Sequence, residues 1–306
     1  MRARSALFTL FGDIVRPAGG DAWLSTLTGC MSALGFSAEA TRTALHRMAA
    51  EGWVAPNRVG RYAAYRLTPP GVDRLEEAAT RIYRLRAAEW DGRWRLLIGL
   101  PAGRDPQLSR ALTWMGFGQL SADAWVSPHP HGQRLTRLLD GHPGAVSTVG
   151  FVAESAGPPG PGSTTDADQR IVATAWDLAE LRQAHAAFVD RWRHAVAGDE
   201  PRAAFTTRIQ LVHHWRSFLF LDPGLPAALL PADWLGDEAA KVFRTLYEAV
   251  DAGAWRFYDQ LVAAGPPLPE TSNPDAAAPA DDSPFARGLD ALQIRRSDPI
   301  PARSTP

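Results

Sequence analysis

The sequence predicts a multidomain α+β chain, and three features carry that prediction. Three amphipathic stretches, near 5–15, 21–34 and 37–50, repeat at helical spacing and run into a β-prone hairpin that bears arginines. From Trp94 to Val152 the pattern alternates strand, helix, strand, strand, helix, strand. From about Ile171 to Val262 it is helical, with Trp176, Trp192, Trp215, Trp234 and Trp255 spread along it. The first feature is the order of a winged helix-turn-helix. The second is a split βαβ arrangement of ferredoxin-like type, and the third an all-α domain. A length of 306 residues allows two or three such domains.

In the first helix Leu7, Leu10, Phe11 and Ile14 keep helical spacing; in the second Leu24, Leu27, Met31 and Leu34 do so. The short joins RPAGG and GFS keep successive helices close. After Gly52 the period changes, and WVAPNRVGRYAAYRL reads as two β arms around a turn at Val59-Gly60-Arg61. Thr68 then caps a helix that opens on Pro69, carries Val72, Leu75, Ala79 and Ile82 on one side, and extends to about Glu89. In the central unit the expected elements are a strand in WRLLIGLP, a helix near 105–115, strands near 118–120 and 125–127, a helix near 133–139 and a strand at 146–152. ESAGPPGPGSTTDAD is too rich in Gly and Pro to show a period and reads as a linker or long loop. The tail is rich in Pro, Ala, Asp and Ser and reads as disordered; Phe285, Leu289 and Leu292 keep helical spacing within it, by chance on the plainer reading. The expected domains are therefore 1–90, 91–153, a linker at 154–168, a helical effector or oligomerisation domain at 169–264, and a tail at 265–306.

Composition narrows the function. The formal net charge of −1 hides a local excess of cations: between 34 and 66 five arginines face only Glu39 and Glu51. Cys30 is the sole cysteine, which excludes an intrachain disulfide or a cysteine-built zinc site and suits a reducing cytoplasm. MRARSALFTLFGDIV imitates a signal peptide, but its apolar run breaks at Gly12-Asp13 and keeps helical spacing, so it reads as a core helix. Nothing approaches the length of a membrane span. The chain has no Gly-x-Ser-x-Gly elbow, Walker loop, dinucleotide glycine fingerprint or His-Glu-x-x-His, and no enzymatic role is expected.

The stretch SAEATRTALHRMAAEGWV carries the sharpest functional signal. Thr41, Ala44, Leu45 and Met48 form the apolar stripe of a helix, with Ser37 as N-cap and Gly52 as stop. Thr43 and His46 then centre on the opposite face, flanked by Arg42 and Arg47. Short polar side chains with cationic edges suit a helix that enters the DNA major groove, where each base pair shows its own donor and acceptor pattern. Arg58, Arg61 and Tyr62 at the hairpin tip would meet phosphates or the minor groove. The candidate DNA-binding set is Ser37, Arg42, Thr43, His46, Arg47, Arg58, Arg61 and Tyr62; Trp53 and Tyr65 read as packing residues. The plainer reading is a solvated surface helix beside a solubilised hairpin tip.

Several stretches also resemble the PaaX-type regulators of bacterial phenylacetate catabolism. They are SALFTLFGDIVRPAGGDAWLSTL, TRTALHRMAAEGWVAPNRVGRYAAYRLTPPG and, most specifically, FLFLDPGLPAALLPADWLGDEAAKVF. WDGRWRLLIGLP and LTWMGFGQLSADAWVSP are similar to the family's central region, and the likeness runs from about Ser5 to Leu261. The resemblance implies a homodimeric repressor of double-stranded operator DNA, released by an aryl-acetyl-CoA such as phenylacetyl-CoA. Regulation of another acyl-CoA pathway, an acyl-CoA-acting enzyme and a protein-interaction adaptor stay open as alternatives.

A CoA thioester needs cationic donors and an apolar recess, for which Trp192, Arg193, Trp215 and Arg216 are the candidates. Core packing is the plainer role of those tryptophans. His213-His214 stands where the family pattern has a histidine followed by an acid, and neighbours on a helix point too far apart to chelate one ion. The expectation is one buried histidine and one at the surface. His129-Pro130-His131 has no further ligand nearby in sequence. The central unit resembles the Cas2-like fold, but its first strand ends LLIGLP without the carboxylate that would hold a metal, so it reads as a scaffold or dimerisation module.

Overall fold

The computed structural model describes residues 1–82, 90–101, 105–156, 164–196, 198 and 200–265. It divides into two compact units, Met1–Arg84 with Phe188–Ser217 and Glu238–Pro306, and Leu85–Ala187 with Phe218–Asp237.

The first unit opens with α1 (Ala3–Leu10), which continues into one π-helical turn at Phe11–Val15. Next come β1 (Asp21–Trp23), α2 (Leu24–Ala33) and α3 (Ala38–Ala50). The hairpin β2 (Val54–Val59) and β3 (Tyr62–Leu67) follows, then α4 (Pro69–Ile82). The sheet order is β1-β3-β2, antiparallel throughout. β1 corrects the sequence reading, which began a helix at Asp21. The Asp21 carboxylate, which resembles a cap in sequence, instead accepts two hydrogen bonds from Arg66 at 2.9 and 3.1 Å, directly across the strand pair. Continuation of α4 to Glu89 concerns residues outside those described.

Leu7, Leu10, Phe11, Ile14, Leu27, Met31, Leu45 and Met48 are sealed from solvent, as their helical spacing requires. The C-terminal helices belong to the same unit: the end of α8 (Leu178–Trp192), α9 (Pro201–Trp215) and nearly all of α10 (Gly236–Ala263). A Cβ on Gly253 would stand 2.6 Å from that of Ala204, so glycine is what lets α9 and α10 approach so closely.

The second unit is built on β4 (Trp94–Ile98), α5 (Pro106–Trp114), β5 (Gly118–Ser121), β6 (Ala124–Ser127), α6 (Gly132–Asp140) and β7 (Val149–Ala153). The antiparallel order β5-β6-β4-β7 is the split βαβ arrangement expected. Leu97 and Trp125 pack with Leu108 and Leu112 of α5 and the leucines of α6. The opposite face packs Trp94 and Val126 against Val172, Leu225 and Leu229.

That second layer comes from α7 (Thr164–Ala175) and the segment around 225–230. Residues 164–168 thus belong to a helix where the sequence suggested a linker, and the Trp94 indole N–H donates to Asp168 at 2.8 Å. The physical reason is the sheet's second apolar face, which must be covered. The segment 169–264 is accordingly shared between the two units. Residues 157–163 of the expected linker and the tail beyond 265, with Phe285, Leu289 and Leu292, lie outside the described residues.

Candidate nucleic-acid interface

α3 is fixed at both ends by its own sequence. The Ser37 hydroxyl accepts from the Ala40 N–H at 3.1 Å, the capping bond expected of it. At the other end Gly52 adopts a φ of 73°, and the N–H groups of Gly52 and Trp53 reach the carbonyls of Ala49 and Met48. That paired closure is a Schellman motif, available because glycine bears no Cβ. Thr41, Ala44, Leu45 and Met48 are buried. Arg42, Thr43, His46 and Arg47 are exposed, and none of the four has a hydrogen bond, ion pair or ring contact among the described residues. This is a helix held by one face, with donors on the other that have no intramolecular task.

The hairpin turns in two residues, Gly60 and Arg61, between the paired Val59 and Tyr62. Gly60 takes φ 59°, as a tight hairpin requires. Arg58 is exposed at the tip. Arg61 lies over the Tyr62 ring at 5.2 Å and donates to its hydroxyl at 3.0 Å, and Trp23 of β1 backs the same ring at 5.7 Å. Tyr62 is therefore propped outward, 39% exposed. Arg66 is withdrawn from the local cationic excess by its pair with Asp21, and Glu51 is taken up by Arg4. Trp53 packs edge-on to Phe8 at 4.3 Å, in the packing role expected of it. Sequence reasoning missed Trp23; the alternation Asp-Ala-Trp was its only signal.

The four residues suggested for an effector have identifiable neighbours. Trp215 is 2% exposed and stacks on Phe243 at 4.8 Å, while Trp192 is 6% exposed and donates to His214 Nδ1 at 3.2 Å. Arg193 pairs with Glu238. Arg216 donates to the Ser5 carbonyl at 3.2 Å and the Thr9 hydroxyl at 2.9 Å. His213 and His214 are both partly buried, which corrects the expected division into one inside and one outside. The turn of the helix places each ring at its edge, one toward Thr9 and the other toward Trp192. Burial, assisted by nearby cations, holds the imidazolium of His213 down to about 4 and lowers that of His214.

His129 is buried and His131 Nε2 lies 2.9 Å from the Ser127 hydroxyl; no cluster able to hold a metal occurs among the described residues. No described helix is long and apolar enough to cross a membrane. A cavity of about 580 Å³ opens at the turn between α7 and α8, beside Val172, Trp176, Leu178 and Leu229, and includes none of the four suggested residues.

A three-helix unit with an arginine-tipped hairpin, a Cas2-like centre and a helical C-terminal region together define a multidomain α+β protein with an outward-facing cationic helix. Comparison with known proteins gives this class its family. Residues 2–71 match the PaaX-like protein model, 87–164 the PaaX protein central Cas2-like domain, and 176–260 the PaaX-like protein C-terminal domain. The chain belongs to the PaaX-like family. It is 32% identical over 266 residues to the Transcriptional repressor PaaX of Escherichia coli (strain K12), covering 84% of this chain and 83% of that protein. A solved structure, the uncharacterized protein Rv0674 from Mycobacterium tuberculosis, is 25% identical with a TM-score of 0.56, covering 85% of this chain and 98% of that one.

Proposed function

We propose that this chain is a transcriptional repressor of an aromatic, phenylacetate-type catabolic operon, acting in the cytoplasm on double-stranded operator DNA. In this reading the N-terminal segment is a winged helix-turn-helix. α3 enters the major groove with Arg42, Thr43, His46 and Arg47, and Ser37 fixes its leading end. Arg58, Arg61 and Tyr62 at the hairpin tip hold the phosphates alongside. The observation that carries the reading is the set of four outward, uncommitted side chains on a helix whose other face is wholly buried. Membership of the PaaX-like family and the likeness to a repressor supply the biological context.

The protein would act as a homodimer reading half-sites about 10 bp, or a multiple of that, apart. β7 supports this: it is an edge strand paired only with β4 among the described residues, yet Val149, Phe151 and Val152 are 52%, 52% and 62% exposed. An apolar, unpaired edge is what a second copy would cover. Release would follow binding of an aryl-acetyl-CoA such as phenylacetyl-CoA, which must favour the DNA-incompetent state; a coupling of about 1–3 kcal/mol is typical.

The test is operator retention across a salt titration. The double variant Arg42→Ala/Arg47→Ala should lose retention while keeping the wild-type melt and oligomeric state. Each phosphate contact removed should flatten the slope of log affinity against log salt by about 0.9. Retention equal to wild type would remove α3 as the reading helix.

A further inference from the structure

The end of α9 carries a cationic surface that the nucleic-acid reading does not use. The Arg216 guanidinium is partly buried, and only its Nη1 has partners: the Ser5 carbonyl and the Thr9 hydroxyl. Both are neutral. No carboxylate appears among its hydrogen-bond or ion-pair partners in the described residues, and its Nε and Nη2 have none. Neither nitrogen is among the sealed unpartnered atoms, so solvent reaches both.

Two histidines extend this surface. His214 Nδ1 accepts the Trp192 indole N–H at 3.2 Å, which leaves the ring's proton on Nε2 and makes that nitrogen an outward donor. His213 sits beside Thr9, its Nδ1 at 3.5 Å from the hydroxyl that Arg216 also holds. Arg191 adds a further cation beside His214, lying over the Trp192 ring at 5.5 Å. Partly buried charge in proteins is ordinarily compensated. A guanidinium drawn inward beside two imidazoles and no acid is a site whose counter-charge arrives from outside.

We propose that Arg216, His213 and His214 form an anion site for the phosphate groups of a small phosphorylated ligand. The free Nε and Nη2 edge of Arg216 presents two parallel donors, the geometry that grips phosphate oxygens in pairs. His214 Nε2–H supplies a third donor from the side. The buried Trp192 and Trp215 are the packed floor that orients these groups and are not contacts themselves. The site stands on its own geometry, but its assignment to a nucleotide-bearing thioester rests on the effector reading above.

Calorimetry on the full chain separates the two. The probes are pyrophosphate, adenosine 3′,5′-bisphosphate, CoA, phenylacetyl-CoA and free phenylacetate. The phosphate-bearing probes should bind the wild type and lose about tenfold or more in Arg216→Met, with partial recovery in Arg216→Lys. His214→Gln, at a partly buried position, should weaken the same probes by severalfold and serves as the second variant if Arg216→Met fails to fold. Phenylacetate binding should not change in either. Binding of pyrophosphate or the bisphosphate without any effect of phenylacetyl-CoA on operator retention would keep the anion site and remove the thioester reading. No binding of any phosphate-bearing probe, or equal binding by wild type and both variants, would overturn the site. So would a loss of operator affinity in Arg216→Met at matched salt with unchanged small-probe binding, because the phosphate would then be that of DNA.

Discussion

Arg208 is a fully buried charge whose neighbours explain why it can stay charged. Its guanidinium donates to the Asp13 carboxylate from Nε at 2.7 Å and from Nη2 at 3.3 Å, to the Tyr247 hydroxyl, and to Asp251. Tyr247 passes its own proton toward Asp13 at 2.9 Å, and the Arg208 cation also faces the rings of Tyr247 and Trp255. Burial pulls the guanidinium pKa down, but the charges of Asp13, Tyr247 and Asp251 more than offset it and hold Arg208 well above its ordinary value. Removing one member leaves the others as uncompensated buried charge. Arg208→Ala should therefore lower unfolding free energy by about 3–5 kcal/mol in urea titrations. Asp13→Asn, which keeps an acceptor for Arg208, should cost clearly less. Equal effects would mean that volume rather than charge holds this cluster. In the sequence Asp13 is visible only as a polar break in an apolar run; its partner lies 195 positions away and no local pattern connects them.

At the scale of elements, the N-terminus of α4 shows how tightly this unit is assembled. Thr68 caps it by accepting from the Gly71 N–H at 3.1 Å, while the Thr68 hydroxyl donates to the Gly52 carbonyl at 2.6 Å. A Cβ on Gly71 would stand only 2.2 Å from the Trp53 carbonyl oxygen, so backbone must move to accept it. Gly71→Ala should destabilise by about 1–3 kcal/mol in thermal melts followed by circular dichroism, although alanine is the better helix former. A neutral or stabilising change would show that the α4 junction is looser than drawn. α3 was legible for the same local reasons: its stripe, its cap and its stop are all written within sixteen residues of one another, from Ser37 to Gly52. β1 was not, because three residues carry too little alternation and its pairing with β3 bridges 45 positions. α7 was hidden behind a Gly- and Pro-rich run, and only the uncovered second face of the central sheet calls for it.

At the scale of the whole molecule, each compact unit holds a histidine that resists protonation. His213 lies in the first and His185 in the second, and burial pushes both from 6.5 down to about 4. His185 is 2% exposed, packed against Phe218 at 4.5 Å and Trp234 at 5.3 Å, with no partner for its Nδ1 among the described residues. Because the folded value lies below the unfolded one, the unfolded chain takes up the proton first as pH falls. The stabilising preference for neutral imidazole is complete above about 6.5 and is lost as pH drops toward about 4. For His185 the loss amounts to about 2 kcal/mol at pH 5. Urea midpoints at pH 7.5 and pH 5 should therefore lie closer together in His185→Leu than in wild type, whatever the substitution does at pH 7.5. Identical shifts in the two proteins would place the acid sensitivity elsewhere, with the carboxylates around Arg208 next in line.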